Sequence, residues 1–137
     1  MALQIARAQV EAMIEHARQE FPNECCGLLA GHQGRVEVLF RGRNVDHSPY
    51  TYRLDPGEQL QLFKEMDARG LDLLGIYHSH TRSAAYPSRT DVAQAHYPDA
   101  AYVIVSLRDP DATGDAVDVQ AFWIRDGVIT AEELIVA

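Results

Sequence analysis

Two histidines, a serine and an aspartate stand close together in the sequence, in a pattern suited to holding a metal ion. His78 and His80 end an apolar stretch, and the alternation of an extended chain points both imidazoles to one side, with Cα atoms about 6.5–7 Å apart. Ser88 follows after seven residues, and Asp91 comes three positions later. Two neutral imidazoles and one carboxylate form a three-ligand set for a catalytic zinc ion, with the fourth position left to water.

Each half of this pattern also has a purely structural explanation. Ser88 and Asp91, ahead of an apolar residue, fit a capping box, in which each side chain accepts a hydrogen bond from the other residue's backbone amide. A histidine pair one residue apart is by itself weak evidence for a metal site. The combination of a pair at a strand end with Ser and Asp at a helix start favours metal binding.

Hydrolysis by a metal-held water also needs a group that accepts and returns a proton, and glutamate suits that role. Glu24 is a candidate because it stands at the entry to the first predicted sheet strand, and strand entries and exits of one sheet can meet in space. The other glutamates lie on or beside the first helix or have capping or solvent explanations: Glu11, Glu15, Glu20, Glu37, Glu58, Glu65, Glu132 and Glu133. The residues alone leave this choice open.

Length and composition predict a single globular domain over residues 1–137. The chain has 137 residues, of which 47% are hydrophobic and 23% charged, as is common for one domain. A metal-dependent amidohydrolase barrel needs roughly 200 residues or more, so that class is excluded.

Charge and hydropathy argue against nucleic acid and membranes as partners. Twenty acidic and twelve basic residues give a net charge of −8, the wrong sign for nucleic acid or an anionic membrane surface. The longest apolar run, Ala100 to Val105, is far shorter than the roughly 18 residues of a membrane span, and the start of the chain lacks a signal-peptide pattern. We therefore expect a soluble, cytoplasmic protein, and a homodimer remains open.

The two cysteines, Cys25 and Cys26, are adjacent. A bridge between them would hold Cα atoms about 3.8 Å apart, below the usual disulfide range. We expect free thiols in a reducing compartment, acting mainly as small buried hydrophobic residues.

Hydrophobic periodicity predicts interleaved helices and strands. Helices are expected over Leu3–Glu20, from Pro56 to about Arg69 after an Asp55 cap, and over Ser88–His96. Strands are expected over Cys25–Gly31, Val36–Phe40, Thr51–Leu54, Leu71–Tyr77, Tyr102–Leu107 and Val117–Arg125, whereas Val128–Val136 is ambiguous between strand and helix. This order implies an α/β or α+β sheet with helices packed on its faces.

The spacing of His78, His80, Ser88 and Asp91 resembles the motif of the JAMM (MPN+) zinc metalloprotease family. The segment Asn23–Leu29, which contains Glu24, resembles the part of that family that carries its glutamate. Similarity to the small bacterial members extends over almost the whole chain. The resemblance implies a cytidine-deaminase-like α/β sandwich, with a curved mixed sheet flanked by about three helices.

The resemblance also implies roles for individual residues. His78, His80 and Asp91 would hold one zinc ion, Glu24 would bind its water and transfer the proton, and Ser88 would steady the developing oxyanion. Small bacterial relatives process ubiquitin-like sulfur-carrier proteins, so a carrier of this kind is the implied partner, cut after its C-terminal Gly-Gly.

One departure from the family pattern concerns the loop after the second histidine. The family usually has proline there, whereas this chain has Thr81 and then Arg82, with no glycine before Pro87. The ligands and Ser88 stay in register, but the shape of the loop and of the substrate groove is left undetermined.

Three alternative functions remain. A metal-free scaffold of the same fold would have lost ligands, whereas this chain keeps all three. A zinc deaminase needs His-x-Glu followed by Pro-Cys-x-x-Cys, and neither occurs here. A redox or metal-buffer protein would use Cys25 and Cys26. The only support for that function is that the two cysteines are adjacent.

Overall fold

The computed structural model describes residues 2–137 and contains seven strands and three α-helices. A short 3-10 helix over Gly114–Ala116 precedes the sixth strand. In chain order the elements are β1 (Ala2–Ile5), α1 (Arg7–Glu20), β2 (Cys26–His32), β3 (Arg35–Gly42), α2 (Pro56–Ala68), β4 (Asp72–His80), α3 (Arg89–Ala93), β5 (Ala101–Ser106), β6 (Asp118–Arg125) and β7 (Val128–Val136).

The strands form one mixed sheet that closes on itself in the order β1-β3-β2-β4-β5-β6-β7. β4 and β5 are parallel neighbours, and β1 is parallel to both β3 and β7. The other neighbouring strands are antiparallel. The expected mixed α+β sheet with three helices is confirmed, whereas its closure into a barrel was not predicted, and the likeness to cytidine deaminases stays a prediction.

The prediction of a helix from Leu3 was wrong, because the chain begins with strand β1. Leu3 and Ile5 are 4% and 2% exposed and point into the core, and four residues of β1 pair with β7. The helix starts only at Arg7, whose amide donates to the carbonyl of Ala137. Apolar residues at positions 3 and 5 are too few to separate a strand from a helical stripe, and the partner strand lies at the other end of the chain.

Smaller differences concern element ends. The expected strand over residues 51–54 is reduced to a single bridge between Leu54 and Asn44. The third helix ends at Ala93 rather than at His96, and the ambiguous C-terminal segment is strand β7. The predicted cap of α2 is confirmed, because the Asp55 side chain accepts hydrogen bonds from the next turn.

The two sides of β4 pack against different helices, and this separation positions the site. Tyr77 faces α1, where its hydroxyl lies 2.7 Å from Nδ1 of His16. Ile76 faces the other way and belongs to the cluster that contains Met66 of α2. Because side chains alternate along a strand, His78 and His80 share the side of Ile76.

No helix among residues 2–137 is long and apolar enough to cross a membrane.

Candidate active site

The structure brings the three predicted ligands to one point. Nε2 of His78 lies 3.2 Å from Nε2 of His80. Oδ2 of Asp91 lies 3.1 Å from the first of these nitrogens and 2.9 Å from the second. All three residues are buried. They form the only group of three or more His, Cys, Asp or Glu residues within the described chain whose ligand atoms could hold one metal ion.

Asp91 is held in place by the start of α3. Its amide donates to Oγ of Ser88 over 3.0 Å, and its Oδ2 accepts from the amide of Ser88 over 2.9 Å. The capping box suggested by the sequence is therefore present, and it aims the carboxylate at the two histidines. Because Oγ of Ser88 accepts in this bond, its hydroxyl proton remains available to another acceptor.

The donor set fits a tetrahedral zinc ion. Ligand atoms at about 2.0–2.1 Å from zinc lie about 3.3 Å from one another, close to the 2.9–3.2 Å separations observed here. Nδ1 of His80 lies 2.8 Å from the carbonyl oxygen of Ala84. A carbonyl only accepts, so Nδ1 carries the proton and Nε2 of the neutral ring is left as a metal donor.

Tyr52 lies against the other histidine, and sequence reasoning did not identify it as a site residue. Its ring stacks on that of His78, with centroids 4.3 Å apart and planes inclined by 22°. Nδ1 of His78 is buried without a hydrogen-bond partner. The orientation of this imidazole therefore depends on ring packing rather than on a hydrogen bond to its second nitrogen.

Glu24 enters the same site from the segment just before β2. The antiparallel register pairs Cys26 with His78, so continuing it sets Glu24 opposite His80. Glu24 is 3% exposed, and its Oε1 has no hydrogen-bond partner. Burial raises the pKa of this carboxyl to about 8, while the charge of His80 acts to lower it and that of Asp91 to raise it. The buried carboxyl is thus suited to hold and release a proton near neutral pH.

The three converging side chains differ in their electrostatics. Burial lowers the pKa of His78. For His80 burial acts in the same direction, but the hydrogen bonds to Asp91 and Ala84 prevail and raise its pKa. Burial opposes ionisation of Asp91, yet its bonds with both histidines hold its pKa well below the usual range. The site therefore presents an ionised carboxylate and at least one neutral imidazole, which is the state that binds metal.

The pKa of Glu24 predicts an unusual pH dependence for the metal-free protein. A folded-state pKa of about 8, against 4.5 for the free group, means that the folded chain holds a proton that the unfolded chain has lost. Between these values the free energy of unfolding falls as pH rises, by up to about 1.4 kcal/mol per pH unit from this group. Urea unfolding of wild type and Glu24→Gln at several pH values measures it: the variant should lack this part of the slope. Equal slopes would contradict the prediction.

Asn44 is a second residue that the sequence did not single out, and it ties the site together. Its Nδ2 donates to the carbonyls of Glu24 and Thr51, each over 3.0 Å. Its Oδ1 accepts from the amides of Asp46 and Arg53, also over 3.0 Å. This 5% exposed side chain thus fixes Glu24 relative to the segment that carries Tyr52.

Replacing Asn44 by aspartate should destabilise the protein by about 2–4 kcal/mol, because a carboxylate would face two carbonyl oxygens to which it cannot donate. Urea unfolding measures the loss. The matched control is Asn23→Asp, because the Asn23 side chain makes no hydrogen bond within residues 2–137; its effect should stay within about 0.5 kcal/mol. Equal losses in the two variants would contradict a clamping role for Asn44.

The two cysteines are not part of the ligand cluster, and their thiols are not reactive at neutral pH. Cys25 and Cys26 are free and each is 1% exposed. Burial raises the pKa of the Cys25 thiol to about 12 and that of Cys26 further still. Both thiols therefore stay protonated at neutral pH, and neither belongs to the three-residue ligand group. The expectation of free, buried thiols is confirmed.

Thr81, where the family usually has proline, is buried and its Oγ1 donates to the carbonyl of Pro49 over 3.0 Å. The amide of Glu24 donates to the carbonyl of Ser48, the residue before Pro49. The loop that follows His80 is thereby joined, through one short segment, to Glu24 just before β2.

Comparison with known proteins shows the family to which the chain belongs. A family model described as prokaryotic homologs of the JAB domain matches residues 6–125. The CysO-cysteine peptidase of Mycobacterium tuberculosis (strain ATCC 25618 / H37Rv) is 46% identical over 125 residues, covering 90% of this chain and 83% of that relative.

Solved structures share the fold. The solution structure of protein DSY2949 from Desulfitobacterium hafniense matches with a TM-score of 0.87 and 36% identity, covering 98% of this chain and 92% of that one. A structure described as a JAMM metalloprotease-like zinc site in the proteasome and signalosome matches with a TM-score of 0.60 at 18% identity, covering 98% and 99% of the two chains, which shows a common fold. The chain therefore belongs to the prokaryotic homologs of the JAB domain and is an enzyme of the peptidase type.

Proposed function

We propose that the chain is a zinc-dependent peptidase that hydrolyses the amide bond after the C-terminal Gly-Gly of a ubiquitin-like sulfur-carrier protein. The observation that carries the proposal is the convergence of His78, His80 and Asp91 within 3.2 Å of one another, beside the buried, unpartnered carboxyl of Glu24. One zinc ion per chain is the metal that this donor set suits, because two imidazoles and one carboxylate leave a fourth position for water.

The chemistry divides between the metal and the protein. Zinc held by His78, His80 and Asp91 would supply a Lewis acid, which would lower the pKa of bound water from about 15.7 to about 7 and polarise the substrate carbonyl. Glu24 accepts the proton of the attacking water at its carboxylate and then returns it to the nitrogen of the leaving amine. In the metal-free protein burial raises the pKa of this carboxyl to about 8, and a bound cation would act to lower it, toward the ionised form that accepts a proton.

Ser88 completes the site as a hydrogen-bond donor. Its Oγ accepts from the amide of Asp91, so the hydroxyl proton is left to donate to the oxyanion that develops on the substrate carbonyl. Removal of one such donor typically costs about 10²–10³ in rate. The same side chain therefore supports the ligand Asp91 and stabilises the developing charge.

The substrate class rests on the family resemblance and on the name of a relative. That relative, which is 46% identical to this chain, is named CysO-cysteine peptidase. We propose that residues 1–137 are one catalytic domain acting in the cytoplasm.

The test is cleavage of defined carriers. Zinc-loaded protein is incubated with several sulfur-carrier proteins that bear short C-terminal extensions, and intact masses are recorded by mass spectrometry. The expected result is loss of the extension after Gly-Gly. If these carriers stay intact while general peptides or ubiquitin-type isopeptides are cut, the substrate assignment is wrong although the hydrolytic site stands.

A further inference from the structure

The two metal-site histidines are held in different ways. Nδ1 of His80 lies 2.8 Å from the carbonyl oxygen of Ala84, so a hydrogen bond fixes the orientation of that imidazole. Nδ1 of His78 is buried and has no hydrogen-bond partner in the described part of the chain. Histidines that bind metals almost always donate a hydrogen bond from their second nitrogen, which sets the direction of the first. His78 therefore needs another constraint if its Nε2 is to stay aimed at the ligand cluster.

The ring of Tyr52 supplies that constraint. The phenol and imidazole rings are stacked, with centroids 4.3 Å apart and planes inclined by 22°. Aromatic pairs commonly have centroids about 4.5–7 Å apart, so this contact is a close one. An imidazole turned edge-on needs more room, because its ring atoms would then point into the phenol ring. The stack thus holds the His78 ring in the plane in which Nε2 lies 3.1 Å from Oδ2 of Asp91.

The backbone on both sides of Tyr52 is tied down. The carbonyl of Thr51 accepts a hydrogen bond from Nδ2 of Asn44, and the amide of Arg53 donates to Oδ1 of Asn44, each over 3.0 Å. The carbonyl of Arg53 accepts from the amide of Val45 over 2.9 Å. The Tyr52 ring is partly buried and packs against an apolar cluster that includes side chains of β2 and β4. A ring fixed in this way acts as a rigid wall for the imidazole.

We propose that Tyr52 is a positioning residue for the metal, whose ring, rather than its hydroxyl, keeps His78 oriented to bind through Nε2. The inference rests on the ligand assignment within the proposed function. A ligand that already has its bound orientation loses less freedom on binding, which raises affinity. A metal-bound imidazole also carries more positive charge than a free one, and the face of a phenol ring attracts positive charge. Both effects favour the metal-bound state over the metal-free state.

Open space next to the ring makes its contribution measurable. Tyr52 lines a cavity of about 210 Å³ together with Leu28 and Ile76. A smaller side chain at position 52 would enlarge this space, because the surrounding structure collapses only partly around a lost side chain. The imidazole of His78 would then be free to turn. Loss of the ring should therefore weaken zinc binding, whereas loss of the hydroxyl alone should not.

Zinc affinities of three variants test this role. Tyr52→Phe removes only the hydroxyl, whereas Tyr52→Leu removes the ring. Phe63→Leu is the matched control, because Phe63 packs in the same apolar cluster and contacts Tyr97 edge-to-face rather than a ligand. Competition with a chromophoric chelator should give a zinc dissociation constant about 10–100-fold higher in Tyr52→Leu and within about twofold of wild type in the other two variants.

Two outcomes of the affinity measurement would overturn the proposal. One is equal affinity in wild type and Tyr52→Leu, and the other is a loss in Tyr52→Phe as large as that in Tyr52→Leu. If Tyr52→Leu does not fold, Tyr52→Met takes its place with the same expected loss.

The orientation of the ring is measured without metal or turnover. NMR spectra of the histidine ring nitrogens are recorded for the metal-free proteins at one fixed pH. Wild type, Tyr52→Phe and Phe63→Leu should show one sharp set of His78 ring signals, whereas those of Tyr52→Leu should be broadened or doubled. Unchanged His78 signals in Tyr52→Leu would overturn the proposal even if the enzyme cleaves carriers. If no carrier is cut while the signals and zinc affinities respond as expected, the proposed function fails and the role of Tyr52 is supported.

Discussion

Replacing Glu24 by glutamine should lower turnover by about 10²–10⁴-fold while the protein keeps its zinc. Glutamine has nearly the same size and can still hydrogen-bond a water molecule, but it cannot accept and return a proton. Glu24 lies opposite His80 and is not among the three converging ligand atoms, so metal content should stay near one ion per chain. Initial rates on an extended carrier and zinc content of the same sample measure both quantities.

The matched control is Glu20→Gln, because Glu20 is an exposed carboxylate at the end of α1 only a few residues away. It should keep both zinc and full turnover. Full activity of Glu24→Gln would contradict the proton-transfer role of Glu24. Loss of zinc from Glu24→Gln would show instead that the carboxylate helps to hold the metal.

Replacing His80 by alanine should remove the metal and with it all turnover that depends on zinc. His80 supplies one of three donor atoms, and its other nitrogen is already fixed by the carbonyl of Ala84. Two remaining ligands cannot form a closed three-residue zinc site. Zinc content after dialysis should fall from one per chain to far below that value, as measured by elemental analysis.

His32→Ala provides the control for this variant, since His32 is exposed at the far end of β2. It should retain zinc and activity. Circular dichroism should show that both variants keep their secondary structure, so that metal loss is not a consequence of unfolding. A His80→Ala protein that still binds one tightly held zinc ion would contradict the ligand assignment.

The metal site could be predicted because short segments of the sequence determine how its ligands are oriented. A strand fixes the orientation of His78 relative to His80, and a capping box fixes Asp91 relative to Ser88. Both rules act over two or three residues. Glu24 was different: several glutamates were open from the residues alone, and only the resemblance to a family selected it.

The parts that the sequence did not predict depend on contacts between distant segments. The sequence did not reveal β1 as a strand, because β1 is a strand only through its pairing with β7, about 130 residues away. The same pairing helps to close the barrel. Asn44 and Tyr52 lie in a segment with little regular structure, and their roles follow from contacts with Glu24 and His78. No spacing rule links them to the site.

The most direct test of the central claim, a zinc ion held by His78, His80 and Asp91, is X-ray absorption spectroscopy of the zinc-loaded protein. The predicted spectrum contains only nitrogen and oxygen neighbours at about 2.0–2.2 Å, with the outer-shell scattering of two imidazole rings. A sulfur neighbour at about 2.3 Å would place the metal on Cys25 or Cys26 instead. That result, or the absence of a second imidazole, would contradict the assignment.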